Sequence, residues 1–201
     1  VASPVGSAGG IKRIQDFGGF FDDTFVVVCG DALIDLDLAA VVRKHWQSGA
    51  AASIVVREVA KDRVSNYGVV VCDDSGQIQS FQEKPKTEDA LSQLVNTGIY
   101  IFEPEIVDLI PRGIDFDIGG ELFPLILEKR LSFNAIKAPF NWIDIGQLSD
   151  YWEANQQMMR GKLRGVQMPG TEVRPKIWAG LNVKVDWDDV RIEGPVYIGS
   201  A

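Results

Sequence analysis

Apolar and polar positions follow a helical rhythm in some stretches and a strand rhythm in others, and the chain switches repeatedly between the two as far as Arg160. Ile11 to Phe21 carries apolar residues at helical spacing and meets Gly18-Gly19 and Asp22-Asp23, which predicts a helix with a glycine stop. Phe25-Val26-Val27-Val28-Cys29 is unbroken apolar sequence, which predicts a strand buried on both faces and ended by Gly30-Asp31. Asp37 suits an N-cap, with a helix from Leu38 to about Ser48 and Gly49 as its stop. Leu38, Val41, Val42 and Trp46 are its expected inward face.

Ser53 to Val59 reads as a second strand. Gly68–Cys72 and Gln77–Gln82 flank Asp73-Asp74-Ser75-Gly76, a hairpin pattern that Glu83-Lys84-Pro85 closes. A short acidic helix is expected over about Thr87 to Leu94, then a strand from Val95 to Phe102. Pro104 opens a helix that ends before Pro111. Glu121 to Arg130 predicts a helix, Phe133 to Ala138 a strand, Trp142 to Gly146 a strand end, and Ser149 to about Arg160 a helix with Tyr151 and Trp152 inward. This alternation argues for an α/β layer architecture with a mostly parallel sheet. After Gly161 the helical rhythm stops. Lys176–Trp178, Val183–Val185, Val190–Ile192 and Val196–Ile198 recur with Gly or Pro between them, the pattern of an opening β-solenoid. A boundary is therefore placed between residues 1–163 and 164–201.

Charge narrows the range of partners. Lys and Arg number 20 against 28 Asp and Glu, a net −8, which disfavours a nucleic-acid phosphate backbone as ligand. Cys29 and Cys72 lie far apart in apolar runs, which reads as two buried thiols in a reducing compartment. No apolar stretch approaches the ~20 residues of a membrane span, and a cytoplasmic protein is expected.

Several polar positions interrupt this framework where chemistry could sit. Gly30-Asp31 follows a strand, and the glycine permits close approach, so Asp31 could hold a divalent metal or simply end the strand in a turn. Asp144, in Trp142-Ile143-Asp144-Ile145-Gly146, is either a second metal carboxylate or a cap for the next helix. In Glu83-Lys84-Pro85 a carboxylate able to accept sugar hydroxyls adjoins a cation able to neutralise phosphate, though solvated Glu-Lys pairs are common. Asn96-Thr97-Gly98 is a polar notch in an apolar strand, which calls for a ligand or a bulge. Pro4 to Gly9 could offer backbone N–H groups to an anion or a base, or serve as a linker. His45, the one histidine, has no Ser, Cys or second His at a useful spacing for a triad. Asp35-Leu36-Asp37 looks like a metal-binding D-x-D, but Asp37 is already accounted for as a cap.

Pro4 to Gly9, Val26 to Asp31, Tyr67 to Val70, Phe81 to Pro85, Val95 to Phe102 and Trp142 to Gly146, in that order, resemble the sugar-1-phosphate nucleotidyltransferases, or sugar-nucleotide pyrophosphorylases. Ile192 to Gly199 resembles the start of the left-handed β-helix that follows the catalytic domain in several members. With the asparagine of Val95-Asn96-Thr97-Gly98, it makes the mannose-1-phosphate guanylyltransferase branch the nearest likeness. The resemblance implies a Rossmann-like domain that joins an NTP, here GTP, to a sugar 1-phosphate and releases pyrophosphate. It implies Mg²⁺ on Asp31 and Asp144, with Lys84 as a catalytic cation on the sugar phosphate. Pro4, Gly6, Ser7, Ala8, Gly30 and Asp31 would face the nucleotide, and Gly68, Glu83, Lys84, Asn96, Thr97 and Trp142 the sugar phosphate. A homo-oligomer is implied for the full-length protein, with neither nucleic acid nor membrane as partner.

The family's opening strand and its Gly-x-Gly-x-Arg loop have no counterpart within these 201 residues. The chain is therefore expected to begin partway through the domain, and as given to have little or no catalysis. Other base and sugar pairs are alternatives, among them the glucose-1-phosphate thymidylyl-, uridylyl- and adenylyltransferases. So are a glycosyltransferase using Asp35-Leu36-Asp37 as its metal motif, and a non-catalytic assembly subunit of the same fold.

Overall fold

The computed structural model describes residues 4–201. In chain order come α1 (Gly6–Gly18), β1 (Phe25–Val28), β2 (Ala32–Ile34), α2 (Leu38–Ser48) and β3 (Ala52–Glu58). A 3-10 turn (Lys61–Asn66) leads to β4 (Val69–Cys72), β5 (Ile78–Gln82) and β6 (Leu94–Phe102). Next are α3 (Glu105–Asp108), a π turn (Ile118–Leu122), α4 (Phe123–Glu128), β7 (Phe133–Lys137), β8 (Trp142–Asp144) and α5 (Leu148–Met159). β9 (Thr171–Arg174), β10 (Ile177–Ala179) and β11 (Val196–Ile198) follow. Two compact units result: residues to Cys29 with Asp37–Ala138, and Gly30–Leu36 with Pro139–Ala201. Among the described residues no helix is long and apolar enough to cross a membrane.

The first unit is an α/β layer structure on a mixed sheet ordered β5-β4-β6-β3-β7, with β1 also paired to β6. The class is as expected, yet parallel pairing is confined to β3–β7. The β4–β5 hairpin is antiparallel because a short turn joins its strands, and the central β6 also runs antiparallel to β1, β3 and β4. β6 faces β3 along one side, while β4 at Val95 and β1 at Ile99–Phe102 share its other side. Between them β6 bulges: Ile54 of β3 opposes Tyr100, whereas Val56 opposes Asn96. Phe102, Phe123 and Phe133 are fully buried and anchor the core.

Several expectations change here. β1 is an edge strand rather than one buried on both faces, so Val26 and Val28 stay partly open and Cys29, just beyond, is exposed. Cys72 is half-buried, so the two free thiols are not both interior. α1 begins earlier than its apolar rhythm and stops at Gly19, which adopts left-handed φ and donates its N–H to the Gln15 carbonyl. α2 is capped by Asp37, which accepts the Ala40 N–H, and ends at Gly49 as predicted. Its buried face is Val41 and His45; Leu38 and Trp46 are exposed. The partners of His45 are remote in sequence: Ser53 Oγ lies 2.8 Å from Nδ1 and Glu103 Oε1 3.0 Å from Nε2. Ser53 is fully buried, so this is a structural network with no accessible nucleophile. The helix expected over Thr87–Leu94 is a run of turns. Gln82 holds it open, donating to the Asp89 carbonyl and accepting the Leu91 N–H, and so short a helix is marginal by itself. The helix expected from Glu121 is divided between the π turn and α4.

In the second unit β2 pairs with β8, and β9, β10 and β11 form a separate small sheet. β10 and β11 run parallel, with Ile177 opposite Val196, as successive solenoid coils would. The intervening segments 183–185 and 190–192 form no strands; the acidic stretch between them turns, with the Asp188 N–H on Asp186 Oδ1. α5 buries Ala154, while Tyr151 and Trp152 are about as exposed as any aromatic here, at 59% and 60%, rather than core.

Candidate functional site

The two carboxylates implied as metal ligands both belong to the second unit. β2 and β8 pair so that Ala32 faces Asp144, and the Asp31 carbonyl accepts the Ile145 N–H at 3.2 Å. Asp31, the residue before β2, and Asp144, the last of β8, therefore stand at one end of a short ladder, and both are exposed. Asp144 is not a helix cap. Gln147 caps α5 in a capping box with Asp150, which removes the competing explanation. Trp142 lies on the same strand, opposite Ile34. No group of three or more His, Cys, Asp or Glu is arranged as a metal cage among the described residues. Two carboxylates suit a hard ion that keeps water and phosphate oxygens as its other ligands.

The nearby D-x-D has a different task. Asp35 has a fully buried side chain that accepts from Asn141 N at 2.6 Å, Asn141 Nδ2 at 2.7 Å and Arg164 N at 3.0 Å. Burial by itself would raise its pKa, but the donors of Arg164 and Asn141 outweigh burial and hold the carboxyl well below the usual range. With Asp37 spent as the α2 cap, neither carboxylate acts as the metal motif of a glycosyltransferase.

The polar cluster of the first unit gathers around Glu83, just past β5. A Cβ placed on Gly68 would meet Glu83 Oε2 at 3.3 Å and the Phe81 ring at 2.4 Å, so only glycine fits. Asn96, on the bulge of β6, donates from Nδ2 to the Tyr100 hydroxyl at 3.0 Å and accepts the Gly98 N–H at 2.9 Å. Thr97 is buried and donates to the Val55 carbonyl at 2.8 Å, which makes it a fastener of the bulge. The notch in the strand is thus a bulge built from its own polar side chains. Lys84 is exposed and adopts φ +42 directly before Pro85, where backbone sterics favour extended conformations. Strain of this kind concentrates at working sites.

Pro4 to Ala8 leads directly into α1. Gly6 has φ +72, and a Cβ there would collide with the Phe116 carbonyl and the Asp115 carboxylate; Ala8 is fully buried, and the Ser7 hydroxyl donates to Asp117 Oδ2 at 2.7 Å. Three residues of this neighbourhood escaped the sequence reading. Tyr100 is buried, and burial pushes its phenol up despite the Asn96 bond, helped by Cys29, Asp117 and Glu83 nearby. Asp117 accepts from Gly119 N and Gly120 N. Burial pulls its carboxyl upward, but these donors and Ser7 leave it below its ordinary value. Gly119 borders Glu83 Oε2. An acidic residue ahead of Gly119-Gly120-Glu121 was the available signal, the sequence of an N-capped turn.

A family model described as Nucleotidyl transferase matches residues 2–161. The chain is 54% identical over 199 residues to a protein of Synechocystis named UTP–glucose-1-phosphate uridylyltransferase, covering 99% of this chain and 51% of that one. It is 36% identical over 152 residues to the mannose-1-phosphate guanylyltransferase catalytic subunit beta of Xenopus tropicalis, covering 74% and 40% respectively. The chain thus spans about half the length, or less, of these relatives. In fold it is similar to a putative glucose-1-phosphate thymidylyltransferase from Bacillus anthracis, with TM-score 0.66, 21% identity, and 84% of this chain and 65% of that one covered. A UDP-glucose pyrophosphorylase complexed with UDP-glucose is also similar, with TM-score 0.65, 24% identity, and 79% and 64% covered.

Proposed function

We propose, since the chain belongs to the nucleotidyl transferase family, that the protein carrying it makes a nucleotide sugar from an NTP and a sugar 1-phosphate. An oxygen of the sugar phosphate attacks the α-phosphorus of the NTP, the bond from that phosphorus to the bridging oxygen breaks, and pyrophosphate leaves. The protein supplies position and charge, with no covalent enzyme intermediate. Asp31 and Asp144 are the residues we assign to Mg²⁺, which when bound would offset the charge on the phosphate oxygens. We assign Glu83 to accept sugar hydroxyls and Lys84 to neutralise the sugar phosphate, with Gly68 leaving room beside Glu83 and Asn96 and Thr97 shaping the bulge. Trp142 completes the sugar-phosphate set. Pro4, Gly6, Ser7, Ala8 and Gly30 are assigned to the nucleotide, through backbone and surface shape, since Ser7 and Ala8 have their side chains engaged within the protein.

The single observation that carries this reading is the β2–β8 register, which brings two exposed acids that are far apart in sequence to the same end of one ladder. The Synechocystis relative favours UTP and glucose 1-phosphate as the substrate pair. GTP and mannose 1-phosphate are the second reading, favoured by the asparagine of Val95–Gly98 and the Xenopus relative. Pyrophosphate release from each pair in Mg²⁺ is the test. Glucose 1-phosphate with UTP should turn over fastest, and Asp31→Asn should lower the rate by about 100-fold or more, the loss of several kcal/mol of charge stabilisation. Nucleoside diphosphate released from a nucleotide sugar instead would identify a glycosyltransferase. Silence in both assays, with partner binding indifferent to Asp31→Asn, would identify an assembly subunit.

A further inference from the structure

Two glycines leave room beside one carboxylate oxygen. A Cβ on Gly68 would stand 3.3 Å from Glu83 Oε2, and a Cβ on Gly119 would stand 3.2 Å from the same atom. Gly119 has no left-handed φ that would require glycine, and a side chain there would meet Glu83 first, with Asp117 Oδ1 at 3.4 Å and the Phe81 ring at 3.5 Å behind it. The residue lies in the π turn Ile118–Leu122, an uncommon geometry that often marks functional segments. Asp117 sets that turn. Its Oδ1 accepts from Gly119 N and Gly120 N, each at 2.8 Å, and its Oδ2 accepts from the Ser7 hydroxyl. Its own N–H donates to Glu121 Oε2 at 2.6 Å, which closes the turn from the other end.

We propose that Gly119 is a specificity-determining positioning residue of the sugar 1-phosphate subsite, held by Asp117 where its missing side chain, like that of Gly68, leaves room for the Glu83 carboxylate. The inference rests on the reading that Glu83 receives sugar hydroxyls. A side chain at either position would reach the same Oε2, so the direction from which Glu83 accepts hydroxyls depends on both positions staying bare. That direction discriminates between sugars whose hydroxyls differ in orientation. An alanine at 119 would move Oε2 by a few tenths of an ångström, enough to misalign a hydrogen bond to the sugar while leaving nucleotide contacts alone.

Gly120 provides the control, because a Cβ there would meet only Asp117, at 3.6 Å and beyond. In the protein carrying this chain, Gly119→Ala should raise KM for the sugar 1-phosphate about tenfold and leave KM for the NTP within about twofold. Gly120→Ala should change both by less than about twofold. Asp117→Ala, at an exposed carboxylate, should raise the same sugar-phosphate constant about threefold by loosening the turn. If the two glycine variants behave alike, or if KM rises equally for both substrates, the inference is overturned and the reaction stands. If the unsubstituted protein releases no pyrophosphate from any sugar 1-phosphate, the reaction is overturned and this inference with it. Should Gly119→Ala fail to fold, Asp117→Ala decides alone, and an unchanged sugar-phosphate KM overturns the inference.

Discussion

The two units are held together by different means. In the first, stacked and edge-on aromatic rings (Tyr100, Phe102, Phe123, Phe133) fill a continuous apolar core. The second has only short strands and scattered buried residues such as Phe140, Leu163 and Ile177, and its most heavily bonded side chain is the carboxylate of Asp35. One unit derives its order from excluding water, the other from satisfying a buried charge. The contrast shows why acidic residues are ambiguous when read along a chain: Asp31, Asp35 and Asp37 are close in sequence, yet one is open, one is a buried hub and one is a cap.

This contrast can be broken experimentally. Phe123→Ala should destabilise the first unit by about 3–5 kcal/mol, measured by denaturant unfolding, because it empties the centre of a ring cluster. A loss comparable to a surface substitution would mean that the core is not the anchor. Asp35→Ala should cost about 1–3 kcal/mol by stranding the donors of Asn141 and Arg164, visible as faster amide exchange in β2 and β8. The same hub has a pH signature. Its folded pKa lies below the unfolded value of about 3.9, so its stabilisation is complete above about pH 4 and fades as the pH falls below that. Asp35→Asn should flatten that acid limb of the second unit's melting curve, and an unchanged limb would assign it to other groups. Asp37→Ala should cost about 1 kcal/mol through the lost cap of α2. At the small end, Trp152→Ala, on an exposed face of α5, should stay within about 0.5 kcal/mol despite the size of the ring.

Much of the framework was legible wherever a local signal governed the backbone. Asp37 and Gly49 bracket α2, Asp73 to Gly76 turns the β4–β5 hairpin, and the apolar run before Phe102 is the central strand. Local signals failed where a distant side chain decided the outcome. Gln82 took the backbone groups that an acidic helix over Thr87–Leu94 would have used. His45 went inward because Ser53 and Glu103 hydrogen-bond its two ring nitrogens, and Trp46 outward, its indole N–H on Thr24. Of the candidate site, Glu83, Gly68 and Asn96 were readable as polar or bare positions at strand ends, while Gly119 and Asp117 were not, since their relation to Glu83 crosses from one loop to another.

By itself the sequence determined the α/β class, the order of most elements and the chemical types at the candidate site, because caps, turns and apolar periodicity act over a few residues. Only the tertiary structure decided which strands pair antiparallel, which acids are buried and which glycine borders which carboxylate. Those outcomes depend on register and desolvation between segments far apart in the chain, where a shift of one residue or one side chain reverses inside and outside.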